Sequence, residues 1–134
     1  MKDTKHIGDI SEAAGVFRLL KKGYSVSKPV GDNQRYDMIV DDGSRLLRVQ
    51  SKNAKIVGDV LNVGLTRVVR ENGGYKKITY DDSEVDAFII YSPELDKCYF
   101  VNKSDAPSSA ISLRLNEVKS NQQSKIRWAK DYEI

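Results

Sequence analysis

The segment Arg35–Asn53, "RYDMIVDDGSRLLRVQSKN", decides the fold. It consists of two alternating runs on either side of Asp42-Gly43, a dipeptide that favours a tight two-residue turn. With Asp41 opposite Ser44, counting outward sets Ile39 opposite Leu46, Asp37 opposite Arg48 and Arg35 opposite Gln50. Side chains alternate between the faces of a strand, and directly paired residues share one face. Asp37, Arg48, Gln50 and Lys52 therefore project to one side. Tyr36, Met38, Val40, Leu47 and Val49 project to the other, which reads as core. Gln50 becomes the diagonal neighbour of Asp37, roughly 7–8 Å away between backbone positions. Two oxygen-bearing side chains so spaced can converge on one Mg²⁺. Lys52 follows on the same face, within reach of a phosphate or an attacking water. A solvated amphipathic hairpin explains the alternation too, but it does not need Asp, Gln and Lys at these places.

Upstream, Asp9 and Glu12 form a capping-box-like start, with Asp9 as N-cap and Glu12 at the third helical position. Ile10, Ala13, Ala14, Phe17 and Leu20 then share one helical face. Lys21 and Lys22 suit the C-terminal end, and Gly23 suits the residue after it. The pattern predicts a helix over about 10–22. "YSVSKPV" (24–30) reads as a short strand ended by Pro29, and "GDNQ" (31–34) as a turn. Downstream, strands are expected at about 58–66, 85–91, 97–102 and 110–115. "ENGGYKK" (71–77) reads as a flexible loop and "SPELDK" (92–97) as a turn. "SNQQSK" (120–125) is polar. "IRWAKDYEI" regains amphipathic character, with Trp128 expected to pack back on the body.

The 134 residues fit one domain, 1–134, with a genuine core. A hydrophobic share of 40% and a charged share of 31% suit a folded, non-membrane protein. No apolar run is long enough to span a bilayer, and "MKDTKHIGD" lacks the apolar core of a signal peptide. Cys98 is the only cysteine and His6 the only histidine. An internal disulfide, a cysteine-based zinc cluster and His-based catalysis are thereby excluded or disfavoured, and a reducing, cytoplasmic setting is expected. The net charge of +3 is modest. Basic residues are spread through Arg18-Lys21-Lys22, Arg67-Arg70, Lys76-Lys77 and Lys125-Arg127, and could form either a phosphate-tracking face or an ordinary solvated surface.

Taken in order, Glu12, Asp37, Gln50 and Lys52 resemble the motif of the PD-(D/E)XK nuclease superfamily: a glutamate on the first helix, an aspartate on the next strand, then an acid, any residue and lysine. Two positions depart from it, Tyr36 where proline is usual and Gln50 where the second acid is usual. The stretch from "GDISEAAGVF" to "RVQSKNAK", with "VDAFIIYSPELDKCYFV" and "IRWAKDYE", is similar to a branch that includes cyanobacterial group I intron homing endonucleases and archaeal relatives and that uses Gln before x-Lys. The resemblance implies an α/β, restriction-endonuclease-like core: a mixed β-sheet with a catalytic hairpin, flanked by helices.

The implied activity is Mg²⁺-dependent, site-specific cleavage of double-stranded DNA, with Mn²⁺ as a possible substitute ion. Glu12, Asp37, Gln50 and Lys52 would be catalytic, and Asp37, Gln50 and the Ser51 carbonyl would hold the metal. Arg35, Arg48, Lys55 and Arg67 are candidate DNA contacts. One site cuts one strand, so a homodimer or a larger homo-oligomer such as a tetramer is expected. A Holliday-junction resolvase and a restriction or repair nuclease share this chemistry. A catalytically silent DNA-binding or assembly module, with Gln50 as a mark of decay, is the alternative from another class.

Overall fold

The computed structural model describes residues 3–31, 33–116 and 126–134. "SNQQSK" and Lys125 lie outside the described residues, as does Asp32 of the "GDNQ" turn. The chain runs α1 (Thr4–Lys21), β1 (Ser25–Ser27), β2 (Met38–Asp41), β3 (Leu46–Asn53), β4 (Lys55–Val57), β5 (Val60–Gly64), β6 (Thr66–Glu71), β7 (Gly74–Thr79), β8 (Ala87–Ser92), β9 (Lys97–Asn102) and β10 (Ala110–Arg114). Short 3₁₀ turns occupy Lys103–Asp105 and Ala129–Asp131.

The strands make a five-stranded sheet ordered β1-β2-β3-β8-β9, a three-stranded sheet ordered β10-β5-β4 and a two-stranded ribbon, β6-β7. In the larger sheet β3 and β8 are parallel and the other pairs antiparallel, so the sheet is mixed as expected. The interior strand β8, "AFIIYS", is buried on both faces, which is why it reads as a continuous apolar run. Ala87 and Ile89 join Leu19, Met38, Val40, Leu47, Val49 and Cys98 in the core on the helix side. Phe88 and Ile90 join Leu61, Val63, Ile111 and Leu113 on the other side, beneath the smaller sheet. The mixed sheet carries its helix on one face, within the restriction-endonuclease-like class expected. Among the described residues α1 is the one α-helix, and a sheet covers the opposite face. Trp128 is half-buried and bridges to Arg114, so the tail does return to the body.

The helix starts earlier than its sequence pattern suggests. Asp3, not Asp9, is the N-cap, and its carboxylate accepts from the His6 N–H at 2.7 Å. Glu12 is therefore a mid-helix residue, free of any capping role. The buried stripe also differs. Ser11, Gly15 and Leu19 face the sheet, whereas Ile10, Phe17 and Leu20 are about half exposed. At Ser11 and Gly15 small size, not hydrophobicity, chooses the buried position, while Leu19 fills the core beyond them. A Cβ on Gly15 would stand 2.9 Å from Cγ1 of Ile89, so only a residue without a side chain allows this approach.

The hairpin register is corrected by two residues. Asp41 pairs with Leu46, Val40 with Leu47, Ile39 with Arg48 and Met38 with Val49. The connection is the four residues Asp42–Arg45 rather than Asp42-Gly43 alone. Asp42 organises it: its Oδ1 accepts from the Ser44 and Arg45 N–H groups, and its own N–H donates to the Arg45 carbonyl. An aspartate that satisfies two following amides favours the longer turn. An even shift preserves the faces, so Met38, Val40, Leu47 and Val49 are core as expected; Tyr36, which precedes the first paired residue of β2, is instead half-buried and lines a depression beside Asp37. The ribbon β6-β7 replaces the expected loop at 71–77. Asn72 and Gly73 both have positive φ, the conformation that a tight hairpin turn requires.

Candidate active site

The site forms where β2 begins, beside the continuing β3. The last β2–β3 pair is Met38 with Val49, and Asp37 and Gln50 stand one step beyond it. The Asp37 N–H still donates to the Val49 carbonyl at 2.9 Å. Its side chain then takes over the role of the missing strand, with Oδ2 accepting from the Ser51 N–H at 2.8 Å. Gln50 lines the same cleft as Asp37, and the expected pairing of Asp37 with Arg48 is replaced by that of Ile39 with Arg48.

The peptide groups of β3 alternate between its two edges. The N–H and C=O of Arg48 both meet Asp86, on the β8 side. Three residues on, the Ser51 N–H meets Asp37 on the opposite edge, and strand geometry aims the Ser51 C=O to that same edge. β3 therefore presents a carbonyl and Asp37 presents a carboxylate along one open margin. Gly8, Asp9, Ser11, Glu12, Asp37 and residues 50–53 line a cleft there of about 280 Å³. Glu12 and Asp37 also line an adjoining depression with Lys28, Gln34 and Tyr36.

Burial raises the Asp37 carboxyl above its ordinary value, against the Ser51 N–H and the charges of Lys52 and Lys28, which favour ionisation. Burial lowers Lys52, and the Asp37 charge opposes that shift. A buried carboxylate whose desolvation outweighs its partners is a good site for an added cation. Among the described residues no three His, Cys, Asp or Glu side chains come together as a metal cluster. The donors at hand are all oxygens: the Asp37 carboxylate, the Gln50 amide, the Ser51 carbonyl and the nearby Glu12 carboxylate. Such a set fits Mg²⁺ or Mn²⁺ and does not fit a soft metal.

The other expected residues divide. Glu12 reaches the cleft and forms an ion pair with Lys28. Lys52 points its ammonium to the Thr66 carbonyl, 2.8 Å away. Arg48 is committed elsewhere: its guanidinium binds both carboxylate oxygens of Asp86 at 2.8–2.9 Å and also donates to the Ser83 and Asp82 carbonyls. It ties β3 to the turn before β8 and is not available to a phosphate. Arg35 pairs with Glu84 at 3.2 Å, and Lys55 is exposed on β4. Arg67 is half-buried at the ribbon base, with Nε unpaired among the described residues.

Sequence reasoning missed Lys28, whose partner Glu12 lies in a different element, and no local pattern marks it. It also missed the Ser11–Asn53 hydrogen bond of 2.9 Å, which pins α1 to β3 beside Glu12. The position of Asn53, one residue after Lys52, was the available signal.

A family model described as PD-(D/E)XK endonuclease matches residues 2–134. The solved structure of a bacterial homing endonuclease, I-Ssp6803I, is similar with a TM-score of 0.75 and 26% sequence identity. The similarity covers 98% of this chain and 89% of that one. No curated protein matches the chain.

Proposed function

The chain belongs to the PD-(D/E)XK endonuclease family, and from that premise we propose a Mg²⁺-dependent, site-specific endodeoxyribonuclease resembling homing endonucleases. Its enzyme class, an endonuclease, follows from the family and from the homing-endonuclease neighbour. The observation that carries the finer reading is the Asp37 carboxylate bound to the Ser51 N–H at the open end of β3, beside Gln50 and Lys52.

In this reading Asp37, the Gln50 amide oxygen and the Ser51 carbonyl hold the metal, and Glu12 completes the anionic wall. The ion, when bound, lowers the pKa of a water and neutralises charge on the phosphate. Lys52 supplies a positive charge to the phosphate from the same strand. Because Gln50 is neutral, the site has one negative charge fewer than the usual pair of acids, and Glu12 restores it. In this reading Arg35, Lys55 and Arg67 contact DNA, with Arg35 exchanging its Glu84 partner for a phosphate, joined by Arg70, Lys76 and Lys77 of the ribbon. A two-stranded ribbon has the width to enter a major groove. One cleft serves one strand, so a double-strand break needs two copies, most simply a homodimer on a near-palindromic target, or a tetramer.

The test is incubation of the purified chain with a randomised duplex library and Mg²⁺, followed by sequencing of the ends. The reading expects ends clustered at one sequence, metal dependence, and loss of cutting but not of binding in Asp37→Asn. Cutting by Asp37→Asn at the wild-type rate would remove Asp37 from the site. Cleavage confined to four-way junctions would favour a resolvase.

A further inference from the structure

Lys52 is held by groups from one element. Its ammonium donates to the Thr66 carbonyl at 2.8 Å and lies 5.0 Å from the centroid of the Tyr80 ring. Thr66 opens β6, and Tyr80 directly follows Thr79, the last residue of β7. Thr66 and Thr79 are also the pair that closes the base of the ribbon. Both feet of the ribbon therefore grip the lysine, one through a carbonyl and the other through an aromatic face.

The two feet differ from the rest of the ribbon in rigidity. Tyr80 is buried, and its ring packs edge-to-face on Phe88 of β8, with centroids 5.8 Å apart. Beyond the feet the ribbon forms a sheet of its own. The register places Val68 and Lys77, then Arg70 and Tyr75, on one face, and all four are exposed. That face carries two cations and no acid, matching the charge of a DNA groove. A load on the ribbon reaches Lys52 through these feet, which join the ribbon to the core at Leu65 and Tyr80.

We propose that Tyr80 and the Thr66 carbonyl are positioning groups for Lys52, so that seating the β6-β7 ribbon on DNA sets the ammonium at the scissile phosphate. The inference rests on the reading of Lys52 as a residue that acts on the phosphate. A cation over a buried aromatic face is held by the ring quadrupole, so the ring and not the hydroxyl of Tyr80 does the holding. Discrimination between DNA sequences would then appear in the rate of cutting as well as in affinity, since a poorly seated ribbon leaves the lysine displaced.

The experiment compares single-turnover cleavage at saturating protein with DNA affinity measured without divalent metal. Tyr80→Phe keeps the ring and is expected within about threefold of wild type, whereas Tyr80→Leu is expected to cut about tenfold more slowly at unchanged affinity. Tyr80→Leu added to Lys52→Ala should bring no further loss. If Tyr80→Leu does not fold, phenylalanines with increasing ring fluorination at position 80 weaken the quadrupole at nearly constant shape. Their rates should fall in step with fluorination. On the ribbon, Arg70→Ala with Lys77→Ala should lower both affinity and the saturated rate. A flat fluorination series, a Tyr80→Leu rate equal to wild type, or a ribbon variant that loses affinity alone would overturn the proposal. Lys52→Ala at the wild-type rate would instead overturn the role of Lys52 itself, and the proposal with it.

Discussion

Gly15→Ala tests how closely α1 rests on the sheet. The new methyl would stand 2.9 Å from Cγ1 and 3.2 Å from Cγ2 of Ile89. Ordinary carbon contacts lie at about 3.5–4.0 Å, so the helix must lift by several tenths of an ångström. Ile89 cannot yield instead, because it is buried at the centre of the sheet and pairs in register with Ser51. Overpacking of this kind costs about 1–3 kcal/mol, and the helix propensity of alanine returns about 1 kcal/mol. The net effect is a destabilisation of up to about 2 kcal/mol, or a Tm lower by up to roughly 8 °C for a chain of this size. Lifting the helix also carries Glu12 away from Asp37, and misplacement by about 1 Å can cost about 100-fold in rate. Ile89→Val keeps both γ carbons and should not relieve the clash. Ile89→Ala removes both, so in that background Gly15→Ala should turn from harmful to neutral or stabilising. The assay is thermal melting of wild type and of the five single and double variants, with cleavage measured on each at about 20 °C below its own Tm. A Gly15→Ala protein that melts higher than wild type and cuts normally would refute the close approach.

Asp37→Asn should raise Tm in metal-free buffer at neutral pH. An acid raised by burial favours the folded state while protonated and weakens it as pH rises through its folded pKa. The amide cannot ionise, so its advantage should shrink as pH falls to about 4, near the ordinary carboxylate range. A lower Tm for the variant at neutral pH would contradict this, as would an advantage that grows on acidification. Mg²⁺ should raise the Tm of wild type and not of the variant. Arg48→Ala should lower Tm while DNA affinity stays within about twofold, since its charge is already spent on Asp86. The Arg48 guanidinium holds the Asp86 carboxyl below its usual range. That stabilisation is present at neutral pH and lost as pH falls through the depressed pKa, so Asp86→Asn should flatten the acid limb of Tm against pH. A steep loss of DNA binding in Arg48→Ala with unchanged Tm would restore it as a DNA contact.

The parts of this fold legible in the sequence are those set by period and by side-chain face. Alternation in "MIV" and "LLRV" assigned the core face of the hairpin, and an even register error left that face intact. A strand was expected at about 85–91, and β8 occupies Ala87–Ser92 with both faces buried. The close pairing of Asp37 with the Ser51 N–H was hidden because the turn length depends on what Asp42 accepts, which no periodicity records. The helix stripe was misjudged because Ile10, Phe17 and Leu20 advertise hydrophobicity, while the sheet selected the small residues Ser11 and Gly15. The ribbon was legible and overlooked. "NG" at 72–73 sits between "TRVVRE" and "GYKKIT", a strong short-range hairpin signal. The Lys28–Glu12 and Lys52–Tyr80 contacts join elements distant in sequence, so only the fold could reveal them.

The central claim is that an amide oxygen at position 50 serves where the family usually has an acid, and nicking of duplex DNA against Mg²⁺ concentration by Gln50 variants tests it most directly. Gln50→Glu keeps the length and an oxygen ligand, and should cut at least as well, at equal or lower Mg²⁺. Gln50→Ala and Gln50→Leu remove the oxygen, and both should lose cutting and metal response while circular dichroism shows an intact fold. A Gln50→Leu protein that nicks DNA at the wild-type rate and Mg²⁺ requirement would contradict the account.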